Sequence, residues 1–167
     1  MKTLEKQRGS LLIDILIGGA AIAFIVITFV AIVGQRSASI QATQGVDLIM
    51  SSVPISLNGL YYRSGRSYAL LTDDDAGAAA LINEGTPEVL PWGDRWAVTT
   101  AGSGNPPTVE MTFPCRGARD PVAMCRTVSI RIANYEESEL RQASILNASF
   151  DPDEDPAVIR VLYSRPR

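Results

Sequence analysis

Apolar residues fall along this chain in three patterns, and each predicts a different element. From Leu11 to Gly34 the sequence LLIDILIGGAAIAFIVITFVAIVG carries a single formal charge, Asp14. About 20 apolar residues suffice for a helix to cross a bilayer, so this run reads as a membrane span. Beyond it the apolar positions thin out to Ala42, Val46, Ile49, Val53, Leu57 and Leu60, the spacing of one helical face. The first helix is therefore expected to leave the span and continue amphipathically to about Ser52, where Pro54 kinks or restarts it. A helix from Ser10 to Ser52 would measure about 65 Å at about 1.5 Å per residue, too long for a bilayer alone. Its second half should pack on an outer domain. Gly18-Gly19 and Gly34 are weak points in it, each costing about 1 kcal/mol relative to Ala; they serve close helix packing or allow local bending between two environments.

After Leu57 the pattern changes again, with Gly and Pro punctuation and one short helix-like stretch from Ala76 to Asn83. Alternation over Thr108 to Phe113 predicts a strand, as does Thr127 to Ile132, and Ala157 to Tyr163 supplies a third. Strands gathered after a long helix predict an α+β fold, with an antiparallel sheet covering the apolar face of that helix.

Charge orients the chain. The net charge is −3, and because Lys2, Lys6 and Arg8 stand against Glu5 in the first nine residues, the remainder carries −5. No cluster of Lys and Arg marks a nucleic-acid-binding face. Three basic residues precede the span, and after Arg36 none follows until Arg63, which places the N-terminus in the cytoplasm and the C-terminal domain outside. A secretory signal peptide would have a shorter apolar stretch, about 7 to 15 residues, and a small-residue cleavage site behind it. This run is longer and continues as Gln35-Arg36-Ser37-Ala38-Ser39, so it reads as a retained helix.

The chain has no His, which excludes histidine-dependent acid–base chemistry. Its two cysteines, Cys115 and Cys125, flank the connection between the first two predicted strands. In an exported domain such a pair reads as a disulfide, and two Cys without His make a poor zinc cage. Closing a loop of this length contributes about 3 kcal/mol on the chain-entropy model.

Asp14 is the residue an ordinary anchor does not explain, since an acid at mid-membrane costs about 2.5 to 3.5 kcal/mol on insertion scales. It lies close enough to the start of the helix for the dipole to favour it there. The stretch Arg8-Gly9-Ser10-Leu11-Leu12-Ile13-Asp14 resembles the class III leader of type IV prepilins. That resemblance implies cleavage by the prepilin peptidase between Gly9 and Ser10, methylation of the new Ser10 amine, and retention of the acid at the fifth mature position. The family usually has Glu there, so Asp14 shortens the reach by one methylene. An amine and a carboxylate buried together in a filament core would act as a register device.

Further along, Leu60-Tyr61, Ser64-Gly65, Tyr68, Leu71, Leu81-Ile82, Gly85, Pro87, Leu90, Trp92-Gly93 and Trp96-Ala97-Val98 resemble type IVb pilins, particularly the major pilins of conjugative thin pili. The resemblance implies a leader at 1–9, a long helix at 10–53 with its membrane and filament-core part to about 34, and a globular α+β head at 54–167. It implies a homopolymeric pilus for adhesion or mating contact, assembled from the inner membrane by dedicated machinery, with no cofactor. The family's disulfide encloses a larger region near the C-terminus, whereas this pair is compact.

Other motifs lead elsewhere or nowhere. The cluster Asp151, Asp153, Glu154 and Asp155 offers oxygen ligands, and related pseudopilins bind calcium near their C-termini, but an EF-hand would need Gly at Pro156 and Glu at Leu162. Asp73-Asp74-Asp75 reads as a helix start or a solvated loop. Asn147-Ala148-Ser149 matches a glycosylation sequon by a pattern that arises often by chance. No nucleophile elbow, phosphate loop or dinucleotide fingerprint occurs, so the chain is expected to be an enzyme's substrate and not an enzyme. The alternatives are a pseudopilin of a type II secretion system and a signal-anchored periplasmic binding domain.

Overall fold

The computed structural model describes residues 20, 22–29, 37–71, 75–99, 108–151, 153 and 157–166. The chain divides into two compact units, Met1–Ser39 and Ile40–Arg167. In the first, residues 20, 22–29 and 37–39 are helical. The second is an α+β unit with a four-stranded antiparallel sheet.

It opens with α1 (residues 40–47), which buries Ala42 and Val46 and passes into a π-helical turn, Leu48–Ser52. The turn has a covalent cause. Pro54 has no N–H and its ring collides with the carbonyl four residues back, so a regular α-helix cannot pass through it. The backbone widens, the Val53 N–H reaches back to the Leu48 carbonyl, and α2 (Val53–Arg63) restarts with Pro54 in its first turn. At π spacing the donor for the Ile49 carbonyl would be residue 54, which is proline. The hydroxyl of Tyr163 takes its place, donating to that buried carbonyl at 2.9 Å. All six expected helix-face positions, Ala42, Val46, Ile49, Val53, Leu57 and Leu60, are buried in one core. The compact unit thus takes in 40–53 together with 54–167.

Next comes α3 (Asp75–Asn83), then β1 (Ala97–Thr99) and β2 (Thr108–Pro114). The strand order is β1-β2-β4-β3, where β3 is Ile145–Asp151 and β4 is Val158–Ser164. The inner pair carries the core. Val109 faces Tyr163, Met111 faces Val161 and Phe113 faces Ile159, all six fully buried, as cross-strand pairs on one sheet face should be.

The strand expected at Thr127 to Ile132 is instead part of a helix, α4 (Pro121–Ala133). Val128, Ile130 and Ile132 alternate like a strand, but Ile130 is exposed while Met124, Cys125, Val128 and Ile132 are buried, a helical stripe. Asp120 caps the start by accepting the Ala123 N–H at 3.0 Å, and Pro121 occupies the first turn; both are standard helix starters. The connection flanked by the cysteines therefore joins a strand to a helix. A short helix, α5 (Glu137–Gln142), opened by a Glu136/Glu139 capping box, leads into β3.

Candidate functional site

The residues on which the sequence places processing and register, Gly9, Ser10 and Asp14, lie outside the described residues, as do most of the expected span and Asp155. Among the described residues no helix is long and apolar enough to cross a membrane. What is described of the apolar run is residues 20 and 22–29, helical with every side chain exposed. Phe24 is 73% and Ile27 68% exposed, so within its own unit this surface has no cover. Thr28 hides its hydroxyl by donating to the Phe24 carbonyl at 2.8 Å, the habit of a hydroxyl on an apolar helix.

In the second unit the cysteines form a disulfide, Cys115 to Cys125, with both residues fully buried. It fastens the end of β2 to the first turns of α4, and the Cys115 N–H donates to the Ala157 carbonyl at 2.9 Å. A second fastening surrounds it. Trp92 Nε1 donates to the Pro114 carbonyl at 2.6 Å, the Asp94 carboxylate accepts the Gly117 N–H at 2.6 Å, and Leu90 and Asp94 close the intervening turn at 2.7 Å. Two glycines make the approach possible. A Cβ at Gly45 in α1 would sit 2.5 Å from the Trp92 ring, and one at Gly117 would strike the Trp92 carbonyl. Trp96 Nε1 donates to the Pro87 carbonyl at 2.6 Å. The Trp-Gly signal was visible in the sequence, but its partners Gly45, Asp94 and Gly117 carried no local sign of the contact.

Burial raises the pKa of Tyr163 well above 10.0, so its hydroxyl stays a donor. Tyr68 is raised too, by burial first and then by neighbouring Tyr61. On the surface, Arg63 pairs at 2.8 Å with the nearly buried Glu84 and ties α2 to the end of α3.

Asp151 and Asp153 form a simple turn, the Asp153 N–H donating to Asp151 Oδ1 at 2.9 Å, and both are exposed. Among the described residues no group of three acids, Cys or His could hold a metal. Asn147 lies exposed on β3. Compared with family models, with characterised proteins and with solved structures, the chain returns no match.

Proposed function

We propose that this chain is the structural subunit of a type IVb pilus, a major pilin that leaves the inner membrane and polymerises into an extracellular filament for adhesion or mating contact. The observation that carries this reading is the apolar helical surface at 22–29, exposed on every side. Such a surface needs lipid or other apolar helices around it, and a filament subunit meets first one and then the other. The sequence supports it with the Gly9–Ser10 junction and with Asp14 five residues into the mature chain. The buried disulfide and the doubly fastened Trp loop suit a head that must survive outside the cell.

In this reading Ile40–Arg167 is a pilin head of α+β type, residues 1–9 are the leader removed by the prepilin peptidase, and Ser10 is the new, methylated N-terminus. The chain does no chemistry itself. Copies join through heterologous contacts that repeat along a helix and do not close into a ring. Determining the N-terminus of protein sheared from cells into the medium tests this. A chain starting at Ser10 in extracellular filaments supports it. An uncleaved chain found only in membranes overturns it in favour of an anchored binding domain, and cleaved chains confined to the periplasm point to a pseudopilin.

A further inference from the structure

At one end of the sheet a cleft of about 290 Å³ opens between α2, α5 and the adjoining ends of β3 and β4. Its polar groups come from separate elements: Asn58 from α2, Arg141 and Gln142 from α5, Ser144 from the turn before β3, and Ser164 from the end of β4. Tyr62 and Leu146 add apolar surface and are 54% and 58% exposed, large apolar side chains left beside a concave surface.

The backbone is strained at this place. Ser144 follows the C-cap of α5 with φ +57°, a left-handed conformation unfavourable for a residue that carries a side chain. Glycine would remove the strain, yet the position holds a hydroxyl that lines the cleft. Its backbone is tied on both sides, the Ser144 N–H donating to the Arg141 carbonyl at 3.1 Å and its carbonyl accepting the Ser164 N–H at 2.7 Å. Strain held by surrounding hydrogen bonds is typical of binding sites.

The lining also has a sign. In a body with an excess of acids, no carboxylate is among the described residues that line the cleft. The charged residue among its described lining is Arg141, which pairs with Glu137 one turn back and has five N–H donors on its fork to share. The volume is at the low end of ligand sites, about 300–1,000 Å³, and admits a single ring. A ligand that fits these groups has an apolar C–H face for Tyr62 and Leu146, hydroxyls for the amides and serines, and a carboxylate for the guanidinium.

We propose that this cleft binds an acidic sugar ring of the hexuronate type, with its carboxylate at Arg141 and its hydroxyls on Asn58, Gln142 and Ser144. The site lies wholly within Ile40–Arg167 and does not depend on the filament reading. Titration of the full-length protein in detergent with D-glucuronate, D-glucose and acetate, followed by NMR, tests it. Glucuronate is expected to bind about tenfold or more tightly than either control, as a charge-assisted bidentate contact added to neutral ones should allow. Asn58→Asp, which places a like charge against the ligand, and Tyr62→Ser, which removes the exposed ring, are each expected to weaken it about tenfold with thermal unfolding unchanged. A glucuronate-terminated oligosaccharide that binds more tightly than the free sugar identifies a polysaccharide source, and equal binding identifies the monosaccharide. Equal affinity for acetate reduces the site to a bare anion contact, equal affinity for glucose removes the role of Arg141, and unchanged binding by both variants places the ligand elsewhere. Any of these three results overturns the proposal.

Discussion

Removing one oxygen from Tyr163 tests how the helix passes Pro54. In Tyr163→Phe the ring keeps its place against Val109, so no cavity larger than a hydroxyl forms. The buried Ile49 carbonyl loses its 2.9 Å donor, and no backbone N–H can replace it, because Val53 is engaged with Leu48 and residue 54 is proline. An unsatisfied buried carbonyl costs about 1–3 kcal/mol. For a unit of this size about 1 kcal/mol corresponds to roughly 4 °C, so calorimetry at pH 7 should show Tm lower by about 4–12 °C. Pro54→Ala restores an N–H at the vacant position, so the cost of Tyr163→Phe should shrink by about 1 kcal/mol or more in that background. The pH dependence gives a second readout. The folded pKa of Tyr163 is raised above 10.0, so the folded state keeps a proton that the unfolded chain releases. Its contribution is complete below about pH 10 and is lost as pH rises further; Tyr163→Phe should flatten that alkaline slope. A cost under about 0.5 kcal/mol, identical with and without Pro54, would refute the account of the π-turn.

Four other outcomes are expected. Gly45→Ala forces a methyl into the Trp92 ring, and overpacking of this kind costs about 1–3 kcal/mol, with a shift in tryptophan fluorescence that a remote Gly→Ala change would not give. Asp120→Ala removes the cap of α4 and should cost about 1 kcal/mol in denaturant unfolding, whereas a strand at 127–132 would leave stability untouched. Reducing the Cys115–Cys125 bond should cost about 3 kcal/mol, read as the difference between melts of oxidised and reduced protein. If Asp14 sets register, Asp14→Ala should abolish filaments and Asp14→Glu should keep them; normal filaments from the alanine variant, seen by electron microscopy, would remove that role.

The elements that the sequence revealed are those whose burial pattern is periodic over a long window. Six residues from Ala42 to Leu60 keep helical spacing because all six are buried in one core, and β2 and β4 alternate because they are the inner strands. Edge position hid the others. β1 is only three residues long. In β3 the run Leu146-Asn147-Ala148-Ser149 faces mainly solvent, so it lacks the apolar beat by which a strand is recognised. The misreading at 127–132 arose because Val128, Ile130 and Ile132 satisfy a period of two, and tertiary packing chose the period of four starting at Met124. The Trp92 fastening was half legible, since an aromatic followed by glycine marks a turn but does not say that Gly45 and Gly117 will receive it. The cleft was not legible at all, because its groups come from positions 58 to 166 and meet only after the sheet has formed.

The sheet's order sets a timetable for the chain. β4 is the last described strand along the sequence, yet it lies between β2 and β3. A chain delivered N-terminus first can pair β1 with β2, but a lone two-stranded hairpin is marginal in water. Val109, Met111 and Phe113 wait for Tyr163, Val161 and Ile159, and the π-turn waits for the same tyrosine. The apolar face of β2 is therefore completed only by the final described strand.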